Sequence, residues 1–447
     1  MKNKTFDTIV IGSGTSAYFC ITALNQAGQK VAVVDERPYG GTCALRGCQP
    51  KKYLVANAEA VAMASHLNGI GLSNPPKTDW AALQKLKNEF LEGISEEEVA
   101  DFNAAGIATF SGKAKLVAPN EVTVGDERLK AKHIVLATGA VPRLTSLSGS
   151  EYIRDSEYFL NLPELPQRIL FIGGGYISLE FAHVATRAGS EVTILHRSER
   201  PLKAFDADIV DTIVEASEAA GISLILNESP IAIEEIDSGF RILGKTGEGY
   251  EADLIIEATG RVPNLSVLED DLGQVDHSPR GIAVNEFLQS VSNPQVYAIG
   301  DCAASGAMLA PVADEEGKVA ARNILSDTPI PVDYSVIPSV VFTIPNLAAV
   351  GLTEAQAKEQ QLDYRINTGS TTGWPSSKRI GEKHGSYKVL INNADNTILG
   401  AHLARHNASE VINVFALAIK YGIKAKDLAE FLWAYPTYTS DLKYMVK

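Results

Sequence analysis

A glycine-rich unit occurs twice in this chain of 447 residues, and the two copies lie 161 positions apart. In each copy a short apolar run leads into a glycine turn, then into a stretch of helical periodicity and a second apolar run. The positions that align at this offset are Gly12/Gly173, Gly14/Gly175, Ala17/Ser178, Gly28/Gly189 and Asp35/His196. The first glycine permits a tight turn, the second lets a pyrophosphate approach the backbone, and a small third residue lets helix and strand pack closely. We therefore predict an α/β protein with two Rossmann-like dinucleotide-binding domains.

The two copies differ at the end of the second apolar run, where the ribose of a dinucleotide is recognised. Asp35 in the first copy is placed to accept hydrogen bonds from a free ribose hydroxyl. In the second copy His196 stands there instead, and the basic residues Arg197, Arg200 and Lys203 follow. Loss of the acid beside basic residues favours a 2′-phosphate, so the second unit is predicted to bind NADPH. The alternative is an ordinary solvated basic loop.

A second internal repeat pairs residues 133–143 with residues 254–264. Each is an apolar strand that ends in an Ala-Thr-Gly turn, at Thr138-Gly139 in the first copy and at Thr259-Gly260 in the second. Glycine in such a place allows the backbone to approach a ligand closely. We expect one of these turns to border each nucleotide.

Two of the four cysteines, Cys43 and Cys48, lie five positions apart directly after the first unit. Side chains at this spacing on a regular helix point away from each other, so a disulfide between them needs a distorted turn, for which Gly47 supplies the freedom. A helix N-terminus and the neighbouring Arg46, Lys51 and Lys52 could stabilise a thiolate here. Cys20 and Cys302 are predicted to be small buried residues. The eight histidines lack ligand spacing, and no metal site is predicted.

Taken together, these motifs make the chain similar to the flavoprotein disulfide reductases of the glutathione reductase and dihydrolipoamide dehydrogenase family. The resemblance spans nearly the whole chain. The segments that carry it are the first glycine turn, the run Gly40–Lys52, the second turn with Glu180, the run Ala258–Asn264, the run Tyr297–Asp301 and the VGLTE segment near the C-terminal third. It implies bound FAD, a third C-terminal α+β dimerisation domain, and a homodimer in which that domain of the second subunit closes the active site.

The resemblance also implies roles for individual residues. Cys43 is the thiol that attacks the acceptor, Cys48 is the thiol beside the flavin, and Lys51 and Glu180 form an ion pair near flavin N5. The residues implied to bind FAD are Gly12, Gly14, Ala17, Asp35, Gly41, Thr42, Lys51, Thr138, Gly139 and Asp301. The residues implied to bind NADPH are Gly173, Gly175, Tyr176, Ser178, Arg197, Lys203 and Gly260, with Tyr176 as the gate of the nicotinamide pocket.

The chain departs from this family at its C-terminal acid–base motif. Tyr435 stands where a catalytic His is expected, Ser440 stands where its partner Glu is expected, and Asp441 follows one place late. A phenol has a pKa near 10, against about 6.5 for imidazole, and is a poor proton shuttle at neutral pH. Mercuric reductases resemble the chain in lacking this His, but they carry a C-terminal cysteine pair that the run Lys443–Lys447 does not offer.

The net charge of −14 argues against nucleic acid and anionic membrane surfaces as partners. No signal peptide or membrane-spanning stretch is recognised, so we expect a cytoplasmic protein.

The predicted boundaries are 1–145 and 265–325 for the FAD domain, 146–264 for the NADPH domain and 330–447 for the dimerisation domain. The stretch Asp79–Asn103 is predicted to be one surface helix of the FAD domain.

The sequence thus predicts an enzyme that passes electrons from NADPH through FAD and the Cys43–Cys48 pair to a small disulfide or another thiol-reactive acceptor. Reduction of a metal ion or a quinone, with Tyr435 positioning the acceptor, is the second hypothesis. A redox-sensing flavoprotein that acts through a partner is the third. An NAD-linked lipoamide dehydrogenase is disfavoured by Arg197 and Lys203.

Overall fold

The computed structural model describes residues 2–269 and 272–447. The chain divides into two compact units. The first contains Met1–Lys52, Lys85–Arg143 and Arg261–Tyr334, and the second contains Tyr53–Gln84, Leu144–Gly260 and Ser335–Lys447. The three-domain division given above stays a prediction, since the contacts within the chain group Leu144–Gly260 and Ser335–Lys447 into one unit.

The elements are numbered in chain order. The helices are α1 Thr15–Gln26, α2 Gly41–Leu45, α3 Cys48–His66, α4 Trp80–Leu91, α5 Ile94–Ala104, α6 Ser156–Leu160, α7 Tyr176–Ala188, α8 Ala207–Ala219, α9 Ala310–Leu325, α10 Glu354–Glu359, α11 Pro375–Lys378, α12 Ala408–Tyr421, α13 Ala425–Glu430 and α14 Leu442–Met445. The strands are β1 Lys2–Ile11, β2 Val31–Asp35, β3 Ala108–Ser111, β4 Ala114–Ala118, β5 Glu121–Val124, β6 Glu127–Leu136, β7 Ala140–Pro142, β8 Ile153–Arg154, β9 Arg168–Ile172, β10 Glu191–His196, β11 Ile222–Leu226, β12 Pro230–Ile236, β13 Gly239–Gly244, β14 Gly249–Ala252, β15 Leu254–Glu257, β16 Arg261–Pro263, β17 His277–Ser278, β18 Gly281–Ile282, β19 Val296–Ala298, β20 Ser339–Val341, β21 Asn346–Gly351, β22 Tyr364–Ser370, β23 Ser386–Asn392 and β24 Ile398–Arg405.

The first unit is built on a sheet in the order β3-β2-β1-β6-β5-β4, with β19 paired to β6. Strands β3, β2, β1, β6 and β19 run parallel, and β4 and β5 form an antiparallel extension. Ile9 and Ile11 pack into the core on one face of the sheet and Val10 into the core on the other. A parallel sheet buried on both faces is the frame expected of a nucleotide-binding unit.

The second unit repeats this arrangement in the order β11-β10-β9-β15-β8, with every pair parallel. The strand that leads into the glycine turn, β1 or β9, is central in both sheets, so the duplication in sequence is also a duplication in topology. The second unit also contains the antiparallel sheet β20-β21-β24-β23-β22, against which α12 packs. The predicted fold class, two Rossmann-like units and a C-terminal α+β part, is confirmed.

One predicted element was wrong. The stretch Asp79–Asn103 forms two helices, α4 and α5, rather than one. The chain breaks at Gly93, whose φ of +82° lies in the left-handed region that a helix interior does not allow. The periodicity of charged and apolar residues continues across the break and therefore concealed it.

Helices long and apolar enough to cross a lipid bilayer are absent from residues 2–269 and 272–447. Cys20 and Cys302 are fully buried in the first unit, as predicted.

Candidate active site

The first glycine turn has no room for side chains. A Cβ added at Gly12, whose φ is +110°, would lie 2.1 Å from the carbonyl oxygen of Ala137. A Cβ at Gly41, whose φ is +67°, would lie 2.4 Å from Cα of Gly14. Ala17, on the buried face of α1, is fully enclosed. The turn therefore brings bare backbone to the edge of the sheet at the N-terminus of α1, the arrangement that receives a pyrophosphate.

Asp35 closes this turn from the end of β2. Its Oδ2 accepts hydrogen bonds from the backbone N–H of Ser13 at 2.8 Å and from Oγ of Ser13 at 2.7 Å, and its Oδ1 accepts one from the N–H of Arg37 at 2.9 Å. A carboxylate offers about four acceptor sites, so these bonds leave capacity for ribose hydroxyls.

A cavity of about 120 Å³ lies beside this turn, and its lining joins residues that are far apart in sequence. Among the predicted FAD residues, those that line it are Gly12, Gly14, Asp35, Gly41, Thr42, Thr138 and Gly139. Thr138 Oγ1 donates to the carbonyl of Asn264 at 2.6 Å, and the N–H of Asn264 donates to the carbonyl of Gly139 at 2.8 Å. The first Ala-Thr-Gly turn is thereby bonded to Asn264, the residue that follows β16.

The two neighbouring cysteines lie at a break between two helices. Cys43 is in α2, which ends at Leu45, and Cys48 is the first residue of α3. Gly47 lies in the break, where a Cβ would be 3.0 Å from the carbonyl oxygen of Thr42. Cys43 is half-buried and Cys48 is exposed, and both are thiols in this structure. The distorted turn predicted from the spacing is therefore a junction of two helices, and it places Cys48 at the positive end of α3.

The two thiols are joined by a hydrogen bond. This bond and burial raise the pKa of the Cys43 thiol, the negative charge of Asp314 adds to the rise, and Lys51 partly opposes it. Lys51 lies one turn into α3, with its backbone N–H bonded to Gly47 at 3.1 Å. Asp314, near the start of α9, accepts a hydrogen bond from Oγ1 of Thr15. Of the charged groups that act on Cys43, Lys51 favours the thiolate that thiol–disulfide exchange requires, whereas Asp314 opposes it.

Asp301 lies in the short helical turn Gly300–Cys302, and burial raises the pKa of its carboxyl against the opposing effect of Arg261. Glu316 was not predicted, yet it holds this turn. The Glu316 carboxylate, fully buried, accepts from the N–H of Gly300 at 2.6 Å, from Ser305 Oγ at 2.6 Å and from Tyr334 OH at 2.7 Å. The sequence carried a signal for it, since an acid at 316 falls on the apolar face of α9 marked by 312, 313 and 320.

In the second unit the glycine turn has the same shape. Gly173 has a φ of +105°, and a Cβ there would lie 2.7 Å from the carbonyl oxygen of Ala258. Gly175 caps α7, and Ser178 is fully buried at the place of Ala17. Gly260, with a φ of +129°, lies in the second Ala-Thr-Gly turn. These are the residues predicted to surround NADPH.

The loop after β10 exposes two cations. Arg200 is held by Asp211, with Nε and Oδ1 3.0 Å apart. Arg197 and Lys203 are exposed, and neither makes an ion pair within the part of the chain that the structure describes. Their charges are therefore available to an anionic ligand.

Glu180 is fully buried on α7 and accepts a hydrogen bond from the N–H of Phe342 at 2.8 Å. Tyr176, the first residue of α7, is about half exposed. Both residues belong to the second unit, whereas Lys51 belongs to the first. The Lys51–Glu180 ion pair stays a prediction.

The C-terminal tail presents Tyr435 to the outside, with 72% of the residue accessible. Nζ of Lys443 lies 5.7 Å from the centre of its ring. Ser440 donates to the carbonyl of Thr437 at 2.6 Å, a contact within the tail itself. Asp441 is buried and pairs with Arg405. The tail thus exposes Tyr435, whereas Ser440 and Asp441 are buried.

Among residues 2–269 and 272–447, no group of three or more His, Cys, Asp or Glu side chains is placed to hold a metal ion.

Comparison with known proteins places these features in a family. Residues 6–317 match the family described as pyridine nucleotide-disulphide oxidoreductase, and residues 337–446 match its dimerisation domain. The chain is 33% identical to dihydrolipoyl dehydrogenase of Chlamydia muridarum, over 97% of this chain and 95% of that one. It is 32% identical to mercuric reductase of Lysinibacillus sphaericus, over 99% and 82%. It is 31% identical to glutathione reductase of Burkholderia cepacia, over 98% and 97%.

Among solved structures, the chain is similar to the HOCl-induced flavoprotein disulfide reductase RclA of Escherichia coli, with a TM-score of 0.89, 25% identity, and coverage of 98% of this chain and 99% of that one. A Cu(II) complex of RclA matches with a TM-score of 0.90.

Proposed function

Because the chain belongs to the pyridine nucleotide-disulphide oxidoreductase family, and so is an NAD(P)H-dependent FAD disulfide oxidoreductase, we propose that it uses NADPH to reduce a small disulfide or a related thiol-reactive acceptor. The hydrogen-bonded Cys43–Cys48 dithiol, at the junction of α2 and α3, is the observation that carries this proposal.

The residues present fit FAD. A Cβ at Gly12 or at Gly41 would clash with neighbouring backbone, so the backbone stays bare there, as close approach of a pyrophosphate requires. Asp35 is placed for the adenosine ribose, and Thr138, Gly139 and the Gly300–Cys302 turn would hold the remainder of the cofactor. FAD, when bound, supplies two-electron transfer between the pyridine nucleotide and the cysteine pair.

The thiol chemistry follows from the cysteine pair. The Cys43 thiolate attacks one sulfur of the acceptor disulfide, forming a mixed disulfide and releasing the other sulfur as a thiolate that takes up a proton. Cys48 then attacks the Cys43 sulfur, which releases the second thiol and leaves the Cys43–Cys48 disulfide. Two electrons from NADPH restore the dithiol. Lys51, one turn beyond Cys48, favours the thiolate forms.

We assign to Tyr435 the stabilisation of the departing thiolate, because its hydroxyl donates a hydrogen bond at neutral pH, while the proton itself comes from solvent. Its exposure on the tail supports this role, and the burial of Asp441 in an ion pair removes the nearest alternative acid.

The choice of NADPH is supported by Arg197 and Lys203, which leave two positive charges exposed after β10. The chain also lacks the acid that a free 2′-hydroxyl requires, since His196 stands at the place of Asp35.

A homodimer is supported by the match of residues 337–446 to a dimerisation domain and by large apolar side chains exposed on that segment. They include Leu417, Tyr421, Phe431 and Leu432, the last 93% accessible. Exposed apolar surface of this kind is typical of an interface.

We place the enzyme in the cytoplasm, where reducing conditions preserve buried thiols such as Cys20 and Cys302.

Reduction of a metal ion is the second candidate. The chain resembles mercuric reductases in lacking the acid–base His, one such reductase is 32% identical to it, and RclA has been obtained as a Cu(II) complex. A pair of thiols is a suitable soft ligand set for a metal substrate. A quinone would compete for the same site, and a redox sensor would retain the dithiol but turn over slowly with every small acceptor.

The deciding experiment is anaerobic. The FAD-containing protein is reduced with NADPH, the long-wavelength absorbance of a thiolate beside flavin is recorded, and its decay is timed after addition of glutathione disulfide, Cu(II) or a quinone. Cys48→Ser should abolish the band. Cys20→Ala removes a buried thiol that does not belong to the Cys43–Cys48 pair, and this variant should retain the band.

Fast decay with a disulfide supports the proposed function. Faster decay with Cu(II) or quinone than with every disulfide replaces it by the second candidate. A band that persists with all of them, coupled to a change in partner binding, indicates the sensor. Absence of the band in the unmodified protein contradicts the proposal.

A further inference from the structure

We propose that His196 is a positioning residue for NADPH: its imidazole ties the glycine turn Gly173–Gly175 to the basic loop Arg197–Lys203 and so holds the two cations of that loop in place for a 2′-phosphate. This inference rests on the proposed use of NADPH and adds a residue to it.

The imidazole makes one hydrogen bond at each ring nitrogen. The backbone N–H of Gly174 donates to Nδ1 at 2.9 Å, and Nε2 lies 2.9 Å from the carbonyl oxygen of Arg200. An N–H can only donate, so Nδ1 must be unprotonated and the proton of a neutral ring must lie on Nε2. A single tautomer therefore satisfies both contacts, and the ring forms a bridge of two hydrogen bonds between the turn and the loop.

The loop is folded back over the turn by further contacts. The N–H of Leu202 donates to the carbonyl of Gly174 at 3.0 Å, and Leu202 adopts a φ of +49° to do so. A Cβ at Gly174 would lie 2.7 Å from Cγ of His196 and 3.0 Å from Cβ of Pro201. The segment between Arg197 and Lys203 is thus anchored at its centre, and the imidazole fills the space that the glycine leaves.

His196 differs from Asp35, its counterpart in the first copy, in what it leaves available to a ligand. Asp35 makes the equivalent bond, accepting from the N–H of Ser13 at 2.8 Å, and retains acceptor capacity for a ligand. His196 uses both nitrogens within the protein and retains none. It therefore has no free nitrogen to bind a ribose hydroxyl. It acts on the nucleotide indirectly, by positioning the loop that carries Arg197 and Lys203.

The surroundings of the ring keep it neutral. Burial lowers the pKa of His196, and Lys203 and Arg197 lower it further, against the hydrogen bond to Arg200. The glycine turn presents only backbone. Asp211 of α8 is engaged by Arg200, and Glu228, which follows β11, is bonded to Ser229 and Lys245. Protonation of Nδ1 would place its N–H against the backbone N–H of Gly174. Two donors cannot form a hydrogen bond, so the bridge would break.

The test measures binding rather than turnover. The FAD-containing enzyme is titrated calorimetrically with 2′,5′-ADP, which carries the 2′-phosphate, and with 5′-AMP, which lacks it. His196→Val removes the bridge and should weaken 2′,5′-ADP about tenfold, the value of about one net hydrogen bond, while 5′-AMP changes by less than about twofold. His196→Gln, whose amide can reach the Arg200 carbonyl, should recover part of the loss. In turnover, KM for NADPH should rise while kcat at saturation is retained.

Ser198→Ala is the matched control, because it alters the same loop without removing a side-chain hydrogen bond seen in the described structure. If His196→Val folds poorly, as judged by flavin content, His196→Asn replaces it, since Asn can still accept from Gly174 but cannot reach Arg200, and it should weaken 2′,5′-ADP as well. Equal weakening of both nucleotides, or no weakening of either, overturns the positioning role. Unmodified enzyme that binds 2′,5′-ADP no tighter than 5′-AMP overturns the proposed use of NADPH instead.

Discussion

Nη2 of Arg405 lies 2.7 Å from Oδ2 of Asp441, and the arginine is fully buried. The same carboxylate oxygen accepts from Ser376 Oγ at 2.6 Å, and the guanidinium lies 5.4 Å from the ring of Tyr438. This cluster fastens the C-terminal tail to β24, the strand that ends at Arg405. Asp441 therefore holds the tail that carries Tyr435, and its carboxylate is engaged by Arg405 and Ser376.

Asp441→Asn should destabilise the protein by about 3 kcal/mol, because it leaves the Arg405 charge buried without a counter-ion. Urea denaturation followed by circular dichroism measures this loss. Lys426→Ala, which removes an exposed ion pair with Glu430, is the control and should have little effect. A loss no larger than that of the control would show that the buried pair does not stabilise the tail.

Tyr435→Phe should leave reduction by NADPH unchanged and slow reoxidation by the acceptor by about 100-fold, the lower end of what loss of one hydrogen-bond donor to a developing anion costs. Anaerobic stopped-flow absorbance separates the two half-reactions. Tyr438→Phe, a neighbour packed against Arg379 and Arg405, is the matched variant and should reoxidise normally. Equal rates for Tyr435→Phe and the unmodified enzyme would remove the hydroxyl from the chemistry.

Gly41→Ala should yield protein without FAD. The new methyl group would lie 2.4 Å from Cα of Gly14, and neither backbone segment can move without opening the turn. Gly28→Ala is the control, since Gly28 has a comparable φ of +82° but open space around it. It should cost about 1 kcal/mol of backbone strain and retain the cofactor. Flavin absorbance of the purified variants decides between a steric requirement and backbone strain alone.

Stability should fall as the pH drops below about 6.5. His183 is buried on α7, and burial, followed by the charge of Arg187, lowers its pKa well below the usual 6.5. Between the two pKa values the unfolded chain binds a proton that the folded chain does not, so acid favours unfolding by up to about 1.4 kcal/mol per pH unit.

His183→Gln keeps a side chain that can bond Ser217, the partner of Nε2 at 2.9 Å, and removes the titration. The free energy of unfolding is measured by urea denaturation between pH 7.5 and 5. For this variant it should depend less steeply on pH than for the unmodified protein. Parallel pH profiles would show that His183 does not carry the effect.

The sequence predicted more of the first unit than of the second. Glycine turns, the acid at the end of β2 and the cysteine spacing are local patterns, so the cradle around Gly12 and the helix junction at Gly47 could be anticipated from the order of residues. Arg405 was missed because its role depends on Asp441, 36 residues further along the chain. The apolar face of α9 marked Glu316 as buried, but only the folded chain shows its partners Gly300 and Tyr334.

By itself the sequence determined the duplicated unit, the fold class, the family and the replacement of His by Tyr435, because these depend on residue type and spacing along the chain. Only the tertiary structure showed that Asp441 pairs with Arg405. It also showed that both ring nitrogens of His196 are hydrogen-bonded, to Gly174 and to Arg200. Among the described residues, Arg197 and Lys203 make no ion pair. The physical reason is that a hydrogen bond or an ion pair depends on distances of about 3 Å between atoms, and only the folded backbone sets those distances.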